Sequence, residues 1–549
     1  MVDLRQSHEG VLRKCSRPIV HLRQQIKLKR FGLVFGSGIS KDLGIPNWEE
    51  LVGLLANDPA VDGEAVRKTA PPRAGLPYRT EMLFEHYKRR RYTDANEADR
   101  HTRKLDIKIA SEWREIIRQH LYAKATNNIA EALANHPYLR AYLPLLRSSY
   151  MTVTYNFDNL IEQALSHTKK EKESRGFETV TNPWTQFRRR EGIIYHPNGV
   201  ILQNLLEAPS DRFVFSEAAY AEQLMGIHAG DQAGLINHLS KHTCLFIGLS
   251  LEDETLRNVL MQAARACPGN FHYYIHYLKD NESLDDRQRH AIRLANFKVY
   301  NLITLFLGNQ EIYDLGELIN IEEHSTDELC EFAKVRSIEV QYRFYIVGPL
   351  GVGKSTTINQ FRNLTVYDEW MEERIPELGK DWEQLTELEK NKADDWIADQ
   401  FDRKNAKLRR EHEGIFMLDR APLDPLVFTP QNELSAKASK LLDKMCPNRK
   451  LIVETGRVIF LQGDPAELEL RMMGSGRKDY TGEKLSRMEK KLLQVYGNVG
   501  VTRIDTRGLD PAAVARRVAE IVHLEDYEPT CNLNERLIRV KEDGTHATN

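Results

Sequence analysis

Two glycine-rich turns, each entered from a short apolar run, constrain this chain more than any other feature. They are Gly36-Ser-Gly-Ile-Ser40 and Gly348-Pro-Leu-Gly-Val-Gly-Lys-Ser355. Such a turn needs a strand to present it and neighbouring helices to cover that strand, so each calls for a parallel sheet of its own. The expected fold class is α/β with two domains, each a mainly parallel sheet flanked by helices. A length of 549 residues agrees, being too long for one core.

The strand expectations rest on short apolar runs. In the first half they fall at residues 31–35, 149–154, 244–248, 271–277 and 297–303, with a polar, helix-patterned stretch from about 60 to 145. In the second half they fall at 340–347, 414–418 and 458–461. The expected organisation is a first domain over 1–325, a linker over 326–340, a second domain over 341–525 and a polar tail over 526–549.

Composition narrows the function classes. The chain is 41% hydrophobic and 28% charged with a formal net charge of −2, which argues against a nucleic-acid coat or a membrane-surface protein. The basic runs Lys88-Arg89-Arg90-Arg91 and Arg188-Arg189-Arg190 read most simply as solvated faces. The polar start lacks an apolar leader, no run reaches membrane-spanning length, and the chain reads as cytoplasmic. Six cysteines stand singly with no CxxC pair, so neither a zinc ribbon nor a disulfide framework is expected.

The second turn is a complete GxxxxGKS loop after a strand and before a helical pattern. Gly348, Gly351 and Gly353 let backbone N–H groups face phosphate oxygens. Lys354 would neutralise the β and γ phosphates, Thr356 opens the helix behind them, and Ser355 would ligate Mg²⁺. Asp419, ending the apolar run from Gly414, is the candidate second Mg²⁺ ligand, and ATP or another nucleotide is the expected occupant. Arg471, with Arg477 in a glycine-rich turn beyond it, could close on a transferring phosphate. Across 340–525 these features resemble the thymidylate and deoxynucleoside kinase group. That resemblance makes Glu369, in Tyr367-Asp-Glu-Trp370, a candidate base for the acceptor hydroxyl.

The first turn gains meaning from the order of segments downstream of it. Gly36, Ser37, Gly38 and Ser40 lead to Gly44-Ile-Pro46-Asn-Trp48, then Thr154-Tyr-Asn156-Phe-Asp158, a histidine–glycine segment, and Gly248-Leu-Ser250. In that order the segments resemble the sirtuin signature over about 30–305, a Rossmann-like domain that binds NAD⁺. The resemblance implies diphosphate binding by the first loop and by Gly248 and Ser250, and a nicotinamide pocket bordered by Pro46 and Trp48. Asn156 and Asp158 would position the ribose and balance an oxocarbenium-like charge. The family sets its catalytic histidine directly before a glycine, but here the order is His196-Pro-Asn198-Gly199. If the segment is extended, His196 and Asn198 share a face, and His196 could serve as the base. Without the family's zinc ribbon, deacylation gives way to hydrolysis of NAD⁺.

The expected function is therefore an NAD⁺ hydrolase acting in antiviral defence by abortive infection, governed by nucleotide at the kinase-like domain. The rivals are a nucleoside or nucleoside-monophosphate kinase with NAD⁺ as allosteric ligand, and a nucleotide-driven scaffold. Nucleotides are the expected partners and a homo-oligomer the expected state, with its symmetry unmarked in the sequence. Neither nucleic acid nor membrane is expected.

Overall fold

The computed structural model describes residues 4–546, except for 72–73, 97–101, 127, 168–175, 183–186, 205–212, 231, 280–282, 381–383, 428, 446–452, 477–479, 497–499 and 530–532. The chain divides into two compact units. One comprises Gln25–Ala266 and Phe271–Glu323, the other Val2–Gln24, Cys267–Asn270 and His324–Asn549.

The sheet of the first unit takes β1 (Phe31–Phe35), β2 (Met151–Thr154), β3 (Glu178–Val180), β4 (Ile193–Tyr195), β5 (Thr243–Ile247), β6 (His272–Tyr277) and β7 (Leu302–Leu307). Its order is β3-β4-β2-β1-β5-β6-β7, and every pairing is parallel. Central β1 pairs Leu33 with Thr152 on one side and with Leu245 on the other. Its five residues are all buried, as a parallel strand covered on both faces requires. Successive strands leave β1 in opposite directions, which opens a crevice at its carboxyl end.

The second unit repeats this plan with β8 (Gln341–Val347), β9 (Thr365–Tyr367), β10 (Gly414–Asp419), β11 (Arg457–Gln462) and β12 (Val501–Asp505), in the order β12-β11-β8-β10-β9. Again the strand that carries the glycine loop is central, between β10 and β11. The α/β class with two parallel sheets is thus as expected.

Three local expectations fail for identifiable reasons. Residues 297–303 are not one strand. A helix, Asp286–Tyr300, starts on a capping box between Asp285 and Gln288 and stops at left-handed Asn301 (φ 53°), and β7 begins only afterwards. The stretch 326–340 is more than a linker, because Ser325 and Glu328 form a capping box for the helix Thr326–Val335, which buries Leu329, Phe332 and Ala333. The tail holds the helix Leu533–His546, whose Leu533 and Leu537 enter the core of the second unit.

Residues up to 24, expected in the first domain, cluster with the second unit instead. They lie mostly on the helix Gln6–Lys27, and polar bonds fasten them there. Arg23 Nε donates to Glu413 Oε2 at 2.8 Å and its Nη2 to the His324 carbonyl at 2.9 Å. Gln24 Nε2 donates to Thr365 Oγ1 while its Oε1 accepts from Ile415 N, so one side chain spans the starts of β9 and β10. The Arg23 and Glu413 side chains are 0% and 1% exposed. Removing one partner strands a buried charge, whereas removing both does not. Arg23→Met is expected to destabilise the second unit by about 3–5 kcal/mol in denaturant unfolding, with much of that restored in Arg23→Met/Glu413→Leu.

Candidate functional sites

In the first unit the site forms where the loops after β1, β2, β4 and β5 meet. Gly36 N donates to Ile247 O and Gly38 N to Gly248 O, each at 3.0 Å, binding the β1 loop to the β5 loop. Side chains would break this contact. A Cβ on Gly36 would stand 2.5 Å from Gly248 O, and one on Gly248 (φ +69°) would stand 2.7 Å from Ile39 N. Ser37 and Gly38 remain exposed, leaving main chain open to a ligand.

Beneath that loop lies a hydrogen-bonded group of three. Asn156 Nδ2 donates to Ser40 Oγ at 3.1 Å, and Ser40 Oγ donates to Asp158 Oδ1 at 3.3 Å. Asp158 Oδ1 also accepts from Leu160 N, at the first turn of the helix Leu160–His167. Its Oδ2 is buried without a hydrogen-bond partner. Burial, and after it the charge of Glu162, pushes the Asp158 carboxyl up to about 6, against the pull of the Leu160 N–H, Ser40 and His196.

His196 is fully buried, with Nδ1 at 3.1 Å from the Asn156 carbonyl and Nε2 at 2.8 Å from Glu162 Oε1. Burial disfavours its charge, but Glu162 and the Asn156 carbonyl outweigh burial and the imidazole is raised above its ordinary value. The extended segment expected here does not form. β4 stops at Tyr195, and Gly199 N returns to His196 O in a turn. Asn198 points elsewhere, its Oδ1 accepting from Gln223 Nε2 at 3.2 Å.

Around Asn156 and Asp158 the walls are aromatic. Trp48 stacks on Phe215 at 5.9 Å and meets Phe157 edge-on at 6.1 Å, and its Nε1 is buried without a partner. Pro46 is half-buried just before the helix Trp48–Ala56. Tyr220 donates to Asp253 Oδ1 at 2.8 Å, a packing role that braces the segment after Gly248. Ser250 is exposed, its hydroxyl 3.5 Å from Glu252 Oε2. Sequence reasoning passed over Glu162, although a carboxylate among Leu160, Ile161, Ala164 and Leu165 on one short helix is a signal of a buried partner.

In the second unit Gly348, Gly351 and Gly353 all have positive φ (152°, 78° and 96°). Lys354 is buried and folds back on its own loop, donating to Gly348 O at 2.9 Å and Pro349 O at 3.0 Å. Burial and then the Arg420 charge bring its ammonium down to about 8. Ser355 Oγ donates to Asp419 Oδ2 at 2.9 Å, and Asp419 Oδ1 is buried without a hydrogen-bond partner. The Ser355 hydroxyl and the Asp419 carboxylate are hard oxygen donors of the kind that would hold a Mg²⁺ ion. Lys404, unmarked by any sequence motif, donates to the Asp419 carbonyl at 2.9 Å and fixes the end of β10.

Glu369 joins this site. Its carboxylate lies 2.9 Å from Arg420 Nε, and both line a cavity of about 1130 Å³ with Lys354, Ser355, Trp370 and Arg471. Thr356 also lines it, whereas Asp419 stands behind Ser355. Arg471 is paired with Glu467 on its own helix at 2.6 Å, and Arg477 falls outside the described residues. In the first unit, the run at 88–91 is partly absorbed locally: Arg90 donates to Val61 O and Arg91 pairs with Glu112.

Residues 151–301 match the family of SIR2-like domains, a span that holds Asn156, Asp158, His196 and Gly248 but not the first loop. Over that span the first unit is similar to SIR2-like domains, a likeness that supports a sirtuin-like domain and is compatible with NAD-dependent activity. No curated protein matches the chain. Among solved structures, the signal recognition particle receptor FtsY from Elizabethkingia anophelis, in complex with GDP, aligns at 10% identity over 57% of this chain and 98% of its own. The TM-score is 0.16, too low for an argument about fold or ligand.

The raised Asp158 makes a prediction about stability. A carboxyl near 6 in the fold and 3.8 outside it binds its proton more readily when folded. Ionisation therefore lowers stability as pH rises from about 4 to 6, and the loss persists above that range. Asp158→Asn is expected to be more stable than wild type by roughly 2–3 kcal/mol at pH 8 and by little at pH 4, read as melting temperatures.

Proposed function

We propose that the first unit hydrolyses NAD⁺ to nicotinamide and ADP-ribose, and that nucleotide bound at the second unit governs this reaction. The observation that carries the reading is the Ser40–Asn156–Asp158 group under a glycine turn at a sheet switch point, within a unit matched to SIR2-like domains.

The chemistry follows from the residues. Exposed main chain at Ser37 and Gly38 receives the diphosphate, and the aromatic wall of Trp48, Phe157 and Phe215 shelters the nicotinamide end from water. As the C1′–nitrogen bond breaks, its electron pair leaves on the nicotinamide nitrogen, which becomes neutral, and C1′ becomes oxocarbenium-like. The Asp158 carboxylate offsets that charge in a dry site, where one fixed charge acts strongly. Asn156 orients the ribose, and water forms the new C1′–oxygen bond and releases a proton to solvent. Ionised Asp158 is required, so cleavage falls as pH drops through about 6.

An enzyme that empties the NAD⁺ pool must be held off until needed, and the P-loop unit supplies a candidate gate. Lys354 donates to two carbonyls of its own loop, and a bound phosphate would compete for that ammonium. Ser355 and Asp419 would hold the Mg²⁺ that accompanies a triphosphate. The setting that fits such control is antiviral defence by abortive infection, in the cytoplasm, by a homo-oligomer. No helix among the described residues is long and apolar enough to cross a membrane. A second reading, a nucleoside kinase with NAD⁺ as effector, draws on Glu369 facing the same cavity as Lys354.

Purified protein given NAD⁺ with a panel of nucleoside mono- and triphosphates is expected to release nicotinamide under at least one condition. Asn156→Ala should lower that rate by roughly 100-fold or more. Silence under every condition would remove the hydrolase reading, and phosphorylation of a nucleoside lost in Lys354→Ala would install the kinase. Lys354→Ala is expected to weaken nucleotide binding about 10- to 100-fold in calorimetry.

A further inference from the structure

His196 is placed like a base and bonded like a strut. A carbonyl oxygen only accepts, so the Nδ1 that faces Asn156 O must carry hydrogen. The other nitrogen faces the Glu162 carboxylate at 2.8 Å, an acceptor to which a protonated Nε2 donates. With both nitrogens engaged in this way, neither offers a lone pair to a third molecule. The ring is also wholly buried. General-base work needs a free lone pair within reach of the attacking oxygen.

We propose that Glu162 and His196 form a buried positioning pair that holds the Asn156 main chain, and that His196 accepts no proton in NAD⁺ cleavage. The clamp is short and continuous. Thr179 Oγ1 on β3 donates to Glu162 Oε1 at 3.2 Å, Glu162 holds His196, and His196 holds the Asn156 carbonyl. The Asn156 side chain then reaches Ser40, and Ser40 reaches Asp158. His196 N donates to Val180 O, which fixes the main chain beneath the ring. Glu162 and Asp158 lie at or just before one helix, Leu160–His167, so a single element aligns both carboxylates with the site.

Charge supports the geometry. The charged groups acting on the imidazole are Glu162 from that helix and Asp158 from the loop before it, both favouring protonation against the effect of burial. Both charges thus favour the protonated ring over the free base that proton abstraction would need.

The kinetic arm of the test rests on the hydrolase reading, and the spectroscopic arm does not. His196→Asn keeps an N–H donor for the Asn156 carbonyl but has no basic nitrogen, whereas His196→Ala loses both. Positioning predicts nicotinamide release by His196→Asn within about 10-fold of wild type and by His196→Ala lower by about 100-fold or more. Equal, near-complete loss in both variants would overturn the proposal. Separately, full-length protein with ¹⁵N-labelled histidine is examined at pH 7.5, the His196 signal being identified by its loss in His196→Asn. Two protonated nitrogens are expected in wild type, and one in Glu162→Gln. A neutral wild-type His196 with an unprotonated Nε2, or no change in Glu162→Gln, contradicts the pair. If no condition yields nicotinamide, the hydrolase reading fails and the nitrogen spectra still decide the pair.

Discussion

Everything functional here depends on one constraint, repeated twice: the strand that presents each glycine loop sits inside its sheet with parallel partners on both sides. β1 lies between β2 and β5, and β8 lies between β10 and β11. Only that arrangement makes the loops after both neighbours converge on the glycine turn. It brings Asn156 and Asp158 from one side and Gly248 from the other to the first loop. It also brings Asp419 to Ser355. At Gly36, Gly38, Gly248 and Gly348 glycine is then forced, because backbone meets backbone at distances a Cβ would violate.

Much of this is legible in the sequence because steric and periodic rules leave few alternatives. Buried parallel strands show as unbroken apolar runs, and a positive-φ turn in close contact selects glycine. The motifs around Ser40, Asn156 and Asp158 can be grouped by their order alone. Other parts depend on contacts that local pattern does not encode. The helix Gln6–Lys27 advertises an apolar face without saying what covers it, and no pattern matches Arg23 to Glu413, far along the chain. Residues 297–303 mislead because aromatic and β-branched residues suit a buried strand as well as a helix end, and Asn301 in a left-handed conformation decides the matter. His196 misleads because the chain turns after Tyr195 instead of continuing as a strand. Glu162 stays hidden since no motif contains it.

Both sites hold buried charge in partly neutralised form. In the first, His196 and Glu162 face each other while Asp158 keeps one oxygen unpartnered. In the second, Lys354 and Lys404 lie near Asp419, and Arg420 lies between Glu369 and Asp424. Such groups lower stability in exchange for reactivity or ligand affinity, the pattern expected where chemistry is done. The first site is the better equipped for a definite reaction, having a dry carboxylate, an oriented amide and an aromatic wall. The second is defined by its positive-φ glycine loop and by Lys354, Ser355 and Glu369 lining one cavity.

The most direct test of the central claim is to incubate the full-length protein with NAD⁺ and its activating nucleotide in heavy-oxygen water and weigh the products. The account predicts nicotinamide and ADP-ribose in equal amounts, with one heavy oxygen at C1′ of the ribose. Intact NAD⁺ under every nucleotide condition, or nicotinamide released without labelled ADP-ribose, would contradict it.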